Sequence, residues 1–295
     1  MGEGEIKLSG QCALITGATH GLGFEIAKTF VKEGASIYIC SRTHKDVHKT
    51  IQNLRQLAKL QDQIVDGCVC DIADTKSIDA LVRNTLDIFP NLDILVNNAG
   101  VYGPFGTIEQ VDWHSWIQAI QINLMGPIYL TKSLVEHFKT RKTGKIINIS
   151  GGGATAPMPG ISAYAVSKCG FVRFTETLAH ELQDFGVDVN AIAPGALATR
   201  LTDEVIDAGP DVLNPDFIQK MKEIQSNGGT PLSIGARCVV YFASTKSDKI
   251  SGRLISALWD KWETLHKHSD ELAASDIYTL RRIVAKDRYK EWGDK

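Results

Sequence analysis

The chain has no apolar run approaching the ~20 residues needed to cross a bilayer, so no membrane-spanning helix is expected. Its start, Met1 to Gly10, holds no apolar stretch of the secretory type, and no signal peptide is expected either. An excess of one charge is also missing: 32 lysines and arginines stand against 34 aspartates and glutamates, a net charge of -2. That balance offers no general grip on nucleic acid or on an anionic membrane. Arg281-Arg282 is a local basic cluster, and a solvated helix face accounts for it. The six cysteines form no framework: Cys12 and Cys40 fall in strand-like runs, and Cys68/Cys70 make a C-x-C with no second pair or histidine at zinc spacing. Buried free thiols in a reducing, cytoplasmic setting are the expectation, with no metal. No repeat, low-complexity tract or linker divides the chain.

What is present is an ordinary globular composition, 43% hydrophobic and 22% charged over 295 residues, enough for one large α/β domain. Strand-like and helix-like runs alternate. Strands are predicted at Cys12–Thr16, Ile37–Cys40, Ile64–Cys70, Leu92–Val96, Lys145–Ser150, Val187–Ile192 and Leu254–Leu258. Between them the apolar spacing predicts helices from Ile26 to a stop at Gly34, over His44–Leu60, Ile78–Ile88 and Tyr164–Phe185, and from Trp113 to Arg141 with a break near Gly126-Pro127. Near-continuous apolar strands separated by helices imply a parallel sheet covered on both faces. Residues 197–235, with Pro210, Pro215, Gly228-Gly229 and Pro231 between short helical pieces, read as irregular, and 259–295 as a charged extension that shapes the pocket or packs on another subunit.

Thr16-Gly17-Ala18-Thr19-His20-Gly21-Leu22-Gly23 joins the first strand to the first helix. Glycines there let a backbone approach a pyrophosphate, and the helix N-terminus offers free N–H groups, although glycine also serves plain tight turns. Asn97-Asn98-Ala99-Gly100, Tyr164-x-x-x-Lys168 and Pro194-Gly195 follow in order. Together these four segments resemble the motifs of the short-chain dehydrogenase/reductase family, over roughly Leu8 to Leu258. The resemblance implies a Rossmann-type, doubly wound α/β fold, with a dinucleotide-binding and catalytic domain over 1–258 that includes a substrate lid near 197–235, and with 259–295 as an extension. It also implies NAD(P)-dependent hydride transfer between a nicotinamide and a small-molecule carbonyl or alcohol substrate, and a homodimer or homotetramer.

On the resemblance, Gly17, Thr19, His20, Gly21, Leu22 and Gly23 hold the phosphates. Asp71 and Ile72 meet the adenine, and Asn98, Ala99 and Gly100 line the cleft. Pro194, Gly195, Leu197 and Thr199 cover the nicotinamide. Ser41 stands where NAD-selecting relatives carry an aspartate, and Arg42 where a guanidinium accepts a 2′-phosphate, so NADP(H) is favoured over NAD(H). Each also has a plainer reading: Arg42 as a surface residue before a helix, Asn97-Asn98 and Pro194-Gly195 as turns.

Tyr164 and Lys168, four apart on a predicted helix, project from one face. Such a pair is often only a helix surface. In the family context Tyr164 is the acid–base group, and Lys168 lowers its pKa and binds the nicotinamide ribose. Asn123 matches the asparagine that helps hold a proton-relay water, though it could equally cap or bend a helix. The family's substrate-polarising serine lies thirteen residues before the tyrosine, and here that place is Gly151. Three readings stand: Ser150 substitutes through altered backbone geometry, Thr155 or Ser162 supplies the hydroxyl, or none does. Two other functions remain open, a nucleotide-binding regulatory or scaffolding protein with lost chemistry, and a lyase or epimerase using the cofactor transiently.

Overall fold

The computed structural model describes residues 7–292. Met1–Ile6, part of the segment read above as lacking an apolar leader, and 293–295, the end of the extension, lie outside it. Strands β1 (Cys12–Thr16), β2 (Ser36–Ser41), β3 (Val65–Val69), β4 (Ile94–Asn97), β5 (Gly144–Ile149), β6 (Val187–Ala193) and β7 (Leu254–Ser256) form one sheet in the order β3-β2-β1-β4-β5-β6-β7. Every pairing is parallel, for example Leu14 with Tyr38 and Leu95. This is the expected Rossmann-type sheet. The order reverses between β1 and β4, and the crevice outside the carboxyl ends there is where such sheets take ligands.

The strands bury both faces because alternate residues point to opposite sides. From β1, Ala13 and Ile15 meet α1 (Gly21–Lys32) through Ile26 and Phe30, and α9 (Leu232–Ala243) through Val239 and Phe242. Leu14 faces the other way, onto α3 (Thr75–Ile88), α5 (Gly126–Arg141) and α6 (Ser162–Leu182), through Leu81, Phe138 and Leu178. A buried polar chain fixes α6 to the sheet: Asn97 Nδ2 donates to Asn148 Oδ1 at 2.9 Å, and Asn148 Nδ2 to Thr175 Oγ1 at 2.8 Å. Buried polar groups hold position only when paired, so this chain sets where α6 lies.

Several elements depart from the sequence reading. The polar helix α2 (His44–Arg55) stops short of Leu60, because the Lys59 and Leu60 N–H groups turn onto the Gln63 side chain. The long helix does not break at Gly126-Pro127. After α4 (Trp113–Ile120) it widens into a π-turn, Gln121–Met125, and Pro127 sits in the first turn of α5. Helix α9 has no helical signature beyond Gly235, because its second half is almost wholly buried and shows no amphipathic stripe. The short helical pieces expected within 197–235 are α7 (Arg200–Ala208) and α8 (Pro215–Ser226). Strand β7 ends at Ser256, where the Asp260 carboxylate accepts the Ser256 N–H at 2.7 Å and turns the chain.

Beyond β7 the extension, with a short helix α10 (Ser269–Ala273), folds back onto the domain, sending Trp262, Leu265 and Leu272 into the core. The Leu254 N–H donates to the Tyr278 carbonyl at 2.8 Å, so the extension covers the edge of β7. Buried Arg253 donates to the carbonyls of Ser275 and Ile277, both at 2.9 Å, and of Leu272. Arg281 lies outside any helix and pairs with Asp276 at 2.7 Å and Asp287 at 2.8 Å, so the expected solvated helix face is instead a loop tied by ion pairs. Arg253→Met should strip three carbonyls of their charged donor and lower stability by about 3 kcal/mol. Limited proteolysis should then cut first within 259–292. An unchanged digestion pattern would show that Arg253 does not hold the extension.

Among the described residues, no helix is long and apolar enough to cross a membrane, and no group of three or more His, Cys, Asp or Glu is placed to hold a metal.

Candidate active site

The turn after β1 is shaped by its glycines and by Asn98. Gly17 and Gly21 have φ of 64° and 53°, a region that side chains rarely enter. A Cβ at Gly23 would lie 2.2 Å from the Gly17 carbonyl oxygen, so only glycine lets α1 start this close to the turn. Asn98 Nδ2 donates to the carbonyls of Thr16 (2.9 Å) and Gly17 (3.1 Å), while Thr16 Oγ1 accepts the N–H groups of Asn98 and Ala99. Thr16 and Asn98 thus clamp the turn to the end of β4. Thr19 Oγ1 donates to Ser41 Oγ at 3.0 Å, joining the turn to the end of β2.

One groove of about 790 Å³ runs along the carboxyl ends of the strands. Every residue assigned above to the site lines it except Asn123 and the alternative hydroxyl Ser162. Exposed Arg42 stands at its β2 end and has no hydrogen bond or ion pair within the described residues. Free N–H groups at the start of α1, a glycine turn without side-chain bulk and an unpaired guanidinium beside it fit the phosphates of a nicotinamide dinucleotide. Asp71 is partly engaged, its Oδ1 accepting the Ala73 N–H at 3.0 Å.

Tyr164 and Lys168 reach the groove from the first turns of α6. Lys168 Nζ is buried, donates to the Ile149 carbonyl at 2.8 Å and lies 5.7 Å from the centre of the Tyr164 ring. Burial pushes Lys168 down to about 8. Tyr164 is held well above the usual phenol range, by burial first and then by the neighbouring Tyr102. The phenol rests protonated.

Asn123 sits outside the groove, within the π-turn. Its Oδ1 accepts the Val101 N–H and its Nδ2 donates to the Val101 carbonyl, both at 2.8 Å, and Nδ2 also reaches Ser167 Oγ at 3.1 Å. Its side chain is spent on tying three segments together, with its Oδ1 on the side of Gly100 and Lys168. A Cβ added at Gly100 marks that proximity, falling 3.2 Å from Asn123 Oδ1 and 3.6 Å from Lys168 Nζ.

At Gly151 a Cβ would lie 2.1 Å from the Tyr164 hydroxyl, so the phenol occupies the space a side chain would need. Ser150 Oγ is buried and unpartnered, sealed from the groove that other atoms of the residue line. Ser162 Oγ is taken by Trp116 Nε1 at 3.0 Å, and Thr155 is exposed at the groove wall. Two of the three hydroxyls are thus sealed or engaged, and that of Thr155 is left at the groove wall.

Residues 11–209, which carry this turn, the tyrosine–lysine pair and the groove's β-strand ends, match the family model described as short chain dehydrogenase. The chain belongs to the short-chain dehydrogenase family. Its relatives include the dehydrogenase/reductase SDR family member 4 of Caenorhabditis elegans, 33% identical over 84% of this chain and 94% of that protein. L-fucose dehydrogenase of Oryctolagus cuniculus is 31% identical over 82% of this chain and 81% of its own length. Among solved structures, a single-residue variant of actinorhodin polyketide ketoreductase with NADPH superposes with a TM-score of 0.75 at 29% identity, covering 83% of this chain and 95% of that one. This short-chain dehydrogenase is accordingly an oxidoreductase of the dehydrogenase/reductase type with a nicotinamide-cofactor fold.

The dehydrogenase groove also has walls that the motifs did not reveal. Phe217, Lys220, Met221 and Ile224 of α8 line it at i, i+3, i+4 and i+7, a spacing that was there to be read. Tyr102, Met158 and Arg200 come from three other segments, and Trp259 and Asp260 from just beyond β7. No local pattern marks these, since each reaches the groove only through the tertiary fold.

Proposed function

We propose that this short-chain dehydrogenase is an NADP(H)-preferring carbonyl reductase or alcohol dehydrogenase in which Tyr164 is the acid–base group. The observation that carries the reading is the Tyr164 phenol and the Lys168 ammonium in one groove with the glycine turn. When bound, the nicotinamide supplies or takes the hydride. In reduction Tyr164 gives its proton to the substrate oxygen as the carbonyl carbon accepts the hydride; in oxidation it takes the alcohol proton. Lys168 then offsets the phenolate charge and binds the nicotinamide ribose. Asn123, through its backbone, supports a proton-relay water beside Lys168. Pro194, Gly195, Leu197 and Thr199 hold the carboxamide, and Gly17 to Gly23 the phosphates. Ser150 serves the substrate oxygen only if the backbone at Gly151–Gly153 shifts to open its Oγ to the groove.

The lid, residues 197–235, presents Phe217, Met221 and Ile224 to the groove, with the cations Lys220 and Arg200 beside them. That wall suits a carbonyl compound with an apolar body. The exposed Trp113, Ile117, Met125 and Val166, all on α4, α6 and the turn between α4 and α5, support a homodimer or homotetramer built over this face. All six cysteines are unpaired, in keeping with a reducing, cytoplasmic setting.

The testing experiment is a panel of ketones, aldehydes and alcohols assayed with both cofactors. Turnover of at least one carbonyl with NADPH is expected. Binding of NADPH without any turnover would favour the regulatory reading that Gly151 invites, and turnover without net NADPH consumption the lyase or epimerase reading. Arg42→Ala should weaken NADPH by ten-fold or more, about 1.5–3 kcal/mol for a charged hydrogen bond. NADH should be little affected, and equal weakening of both would remove the 2′-phosphate contact.

A further inference from the structure

A second donor beside the acid stabilises the negative charge that develops on a carbonyl oxygen as the hydride arrives. The groove supplies Tyr164 as one. The second position beside it is empty of hydroxyl in sequence and closed in space. Gly151 carries no side chain, the Tyr164 hydroxyl fills the room its Cβ would take, and Ser150 Oγ is sealed off.

Tyr102, four residues after Asn98 in the loop beyond β4, approaches from the opposite wall. Its ring meets that of Tyr164 edge to face, centres 4.8 Å apart at 62°, and it lines the same groove. Phe105 packs on it at 6.2 Å, and the lid residues Val205 and Ile218 belong to the same apolar cluster, so its ring is held. Its hydroxyl makes no hydrogen bond within the described residues, and it is not among the sealed, unpartnered atoms. A tyrosine hydroxyl on a packed ring, unspent and not sealed, is a donor without an acceptor. Burial and then Glu204 push the Tyr102 phenol up, and Tyr102 in turn helps keep Tyr164 protonated, which fits a pair of donors rather than a donor and a base.

We propose that the Tyr102 hydroxyl is the second donor to the substrate oxygen, doing from the β4 loop what a serine at position 151 does in relatives. The inference rests on the carbonyl-reductase reading above. Only Tyr164 transfers a proton: the carbonyl carbon gains a hydride from the reduced nicotinamide, the oxygen gains the Tyr164 proton, and the nicotinamide leaves oxidised. Tyr102 keeps its proton and contributes a hydrogen bond that shortens as the oxygen becomes an alkoxide. The substitution of Gly151 thus relocates the donor.

The test uses the full chain with cyclohexanone, acetophenone and ethyl acetoacetate as probes, NADPH for turnover and NADP+ for dead-end complexes. Tyr102→Phe keeps the ring and its packing. It is expected to lower kcat on the order of 10²-fold, the loss seen on removing one such donor, with KM little changed. The loss should exceed that of Ser150→Ala. In the NADP+–ketone complex, the infrared carbonyl stretch should lie below its value in water and shift back part-way in Tyr102→Phe. A Tyr102→Phe enzyme with parental kcat and an unshifted carbonyl band, in a parent that needs Tyr164, overturns the inference alone. A larger loss in Ser150→Ala than in Tyr102→Phe does the same. A parent inactive on every carbonyl removes the underlying reading, and the inference with it.

Discussion

Replacing Tyr164 by phenylalanine is expected to lower kcat for carbonyl reduction by 10²–10⁴-fold, the range lost with a positioned general acid, while cofactor binding stays close to the parent. The change removes one oxygen and leaves the ring, its edge-to-face contact with Tyr102 and the first turn of α6 in place. A fall in kcat without a matching rise in KM is the mark of an interaction made in the transition state. The direction of the reaction matters as well. Burial holds the phenol above its usual range, so it is protonated throughout the neutral range and ready to reduce. Oxidation must first form a phenolate, for which the positive charge of the oxidised nicotinamide is needed. Parallel assays in both directions at neutral pH should therefore favour reduction. Full activity in the phenylalanine variant would sink the assignment of Tyr164.

Lys168→Met should separate stability from activity. Burial brings the ammonium down from 10.5 to about 8, a difference of about 3 kcal/mol at 1.36 kcal/mol per unit. Below pH 8 the lysine is charged in the folded and unfolded chains alike, and the folded state carries the full desolvation cost. As pH rises from 8 towards 10.5 the folded lysine loses its proton first and the cost shrinks, so this group makes the parent more stable with rising pH. Methionine removes the cost and also the bond to the Ile149 carbonyl, itself of about 1.5 kcal/mol. The net gain near pH 7 is about 2 kcal/mol, several degrees in Tm for a chain of this size. The gain over the parent should dwindle by pH 9.5, while kcat falls 10²-fold or more. A Tm below the parent's at pH 7 would show that Lys168 is stabilised by contacts that outweigh its burial.

The sheet is readable from the sequence because its strands are short apolar runs punctuated by Gly and by polar caps such as Asp74, whose carboxylate accepts the N–H groups of Lys76 and Ser77. The cofactor half of the site is readable for a related reason. A backbone turn that must touch phosphate constrains local sequence, so Gly17, Gly21 and Gly23 stand together. The substrate half is assembled from distant pieces, and Tyr102, Met158 and Trp259 carry no local mark that places them in the groove. Helix α9 escapes a reading by period because nearly all of its second half is buried, so no polar stripe gives it away. The long helix is expected to break at Gly126-Pro127, the stronger breaker on paper. The chain instead widens around Asn123, whose buried amide holds Val101 on both sides.

The short approach at Gly151 has a bearing on how such a sequence can change over generations. A serine codon acquired there would place its Cβ 2.1 Å from the Tyr164 hydroxyl, and the phenol would have to yield before the new hydroxyl could serve. Residues in contact do not contribute additively. Positions 151 and 164 are therefore expected to be energetically coupled: a Gly151→Ser change should be costly unless the packing of Tyr164 against Tyr102 also loosens.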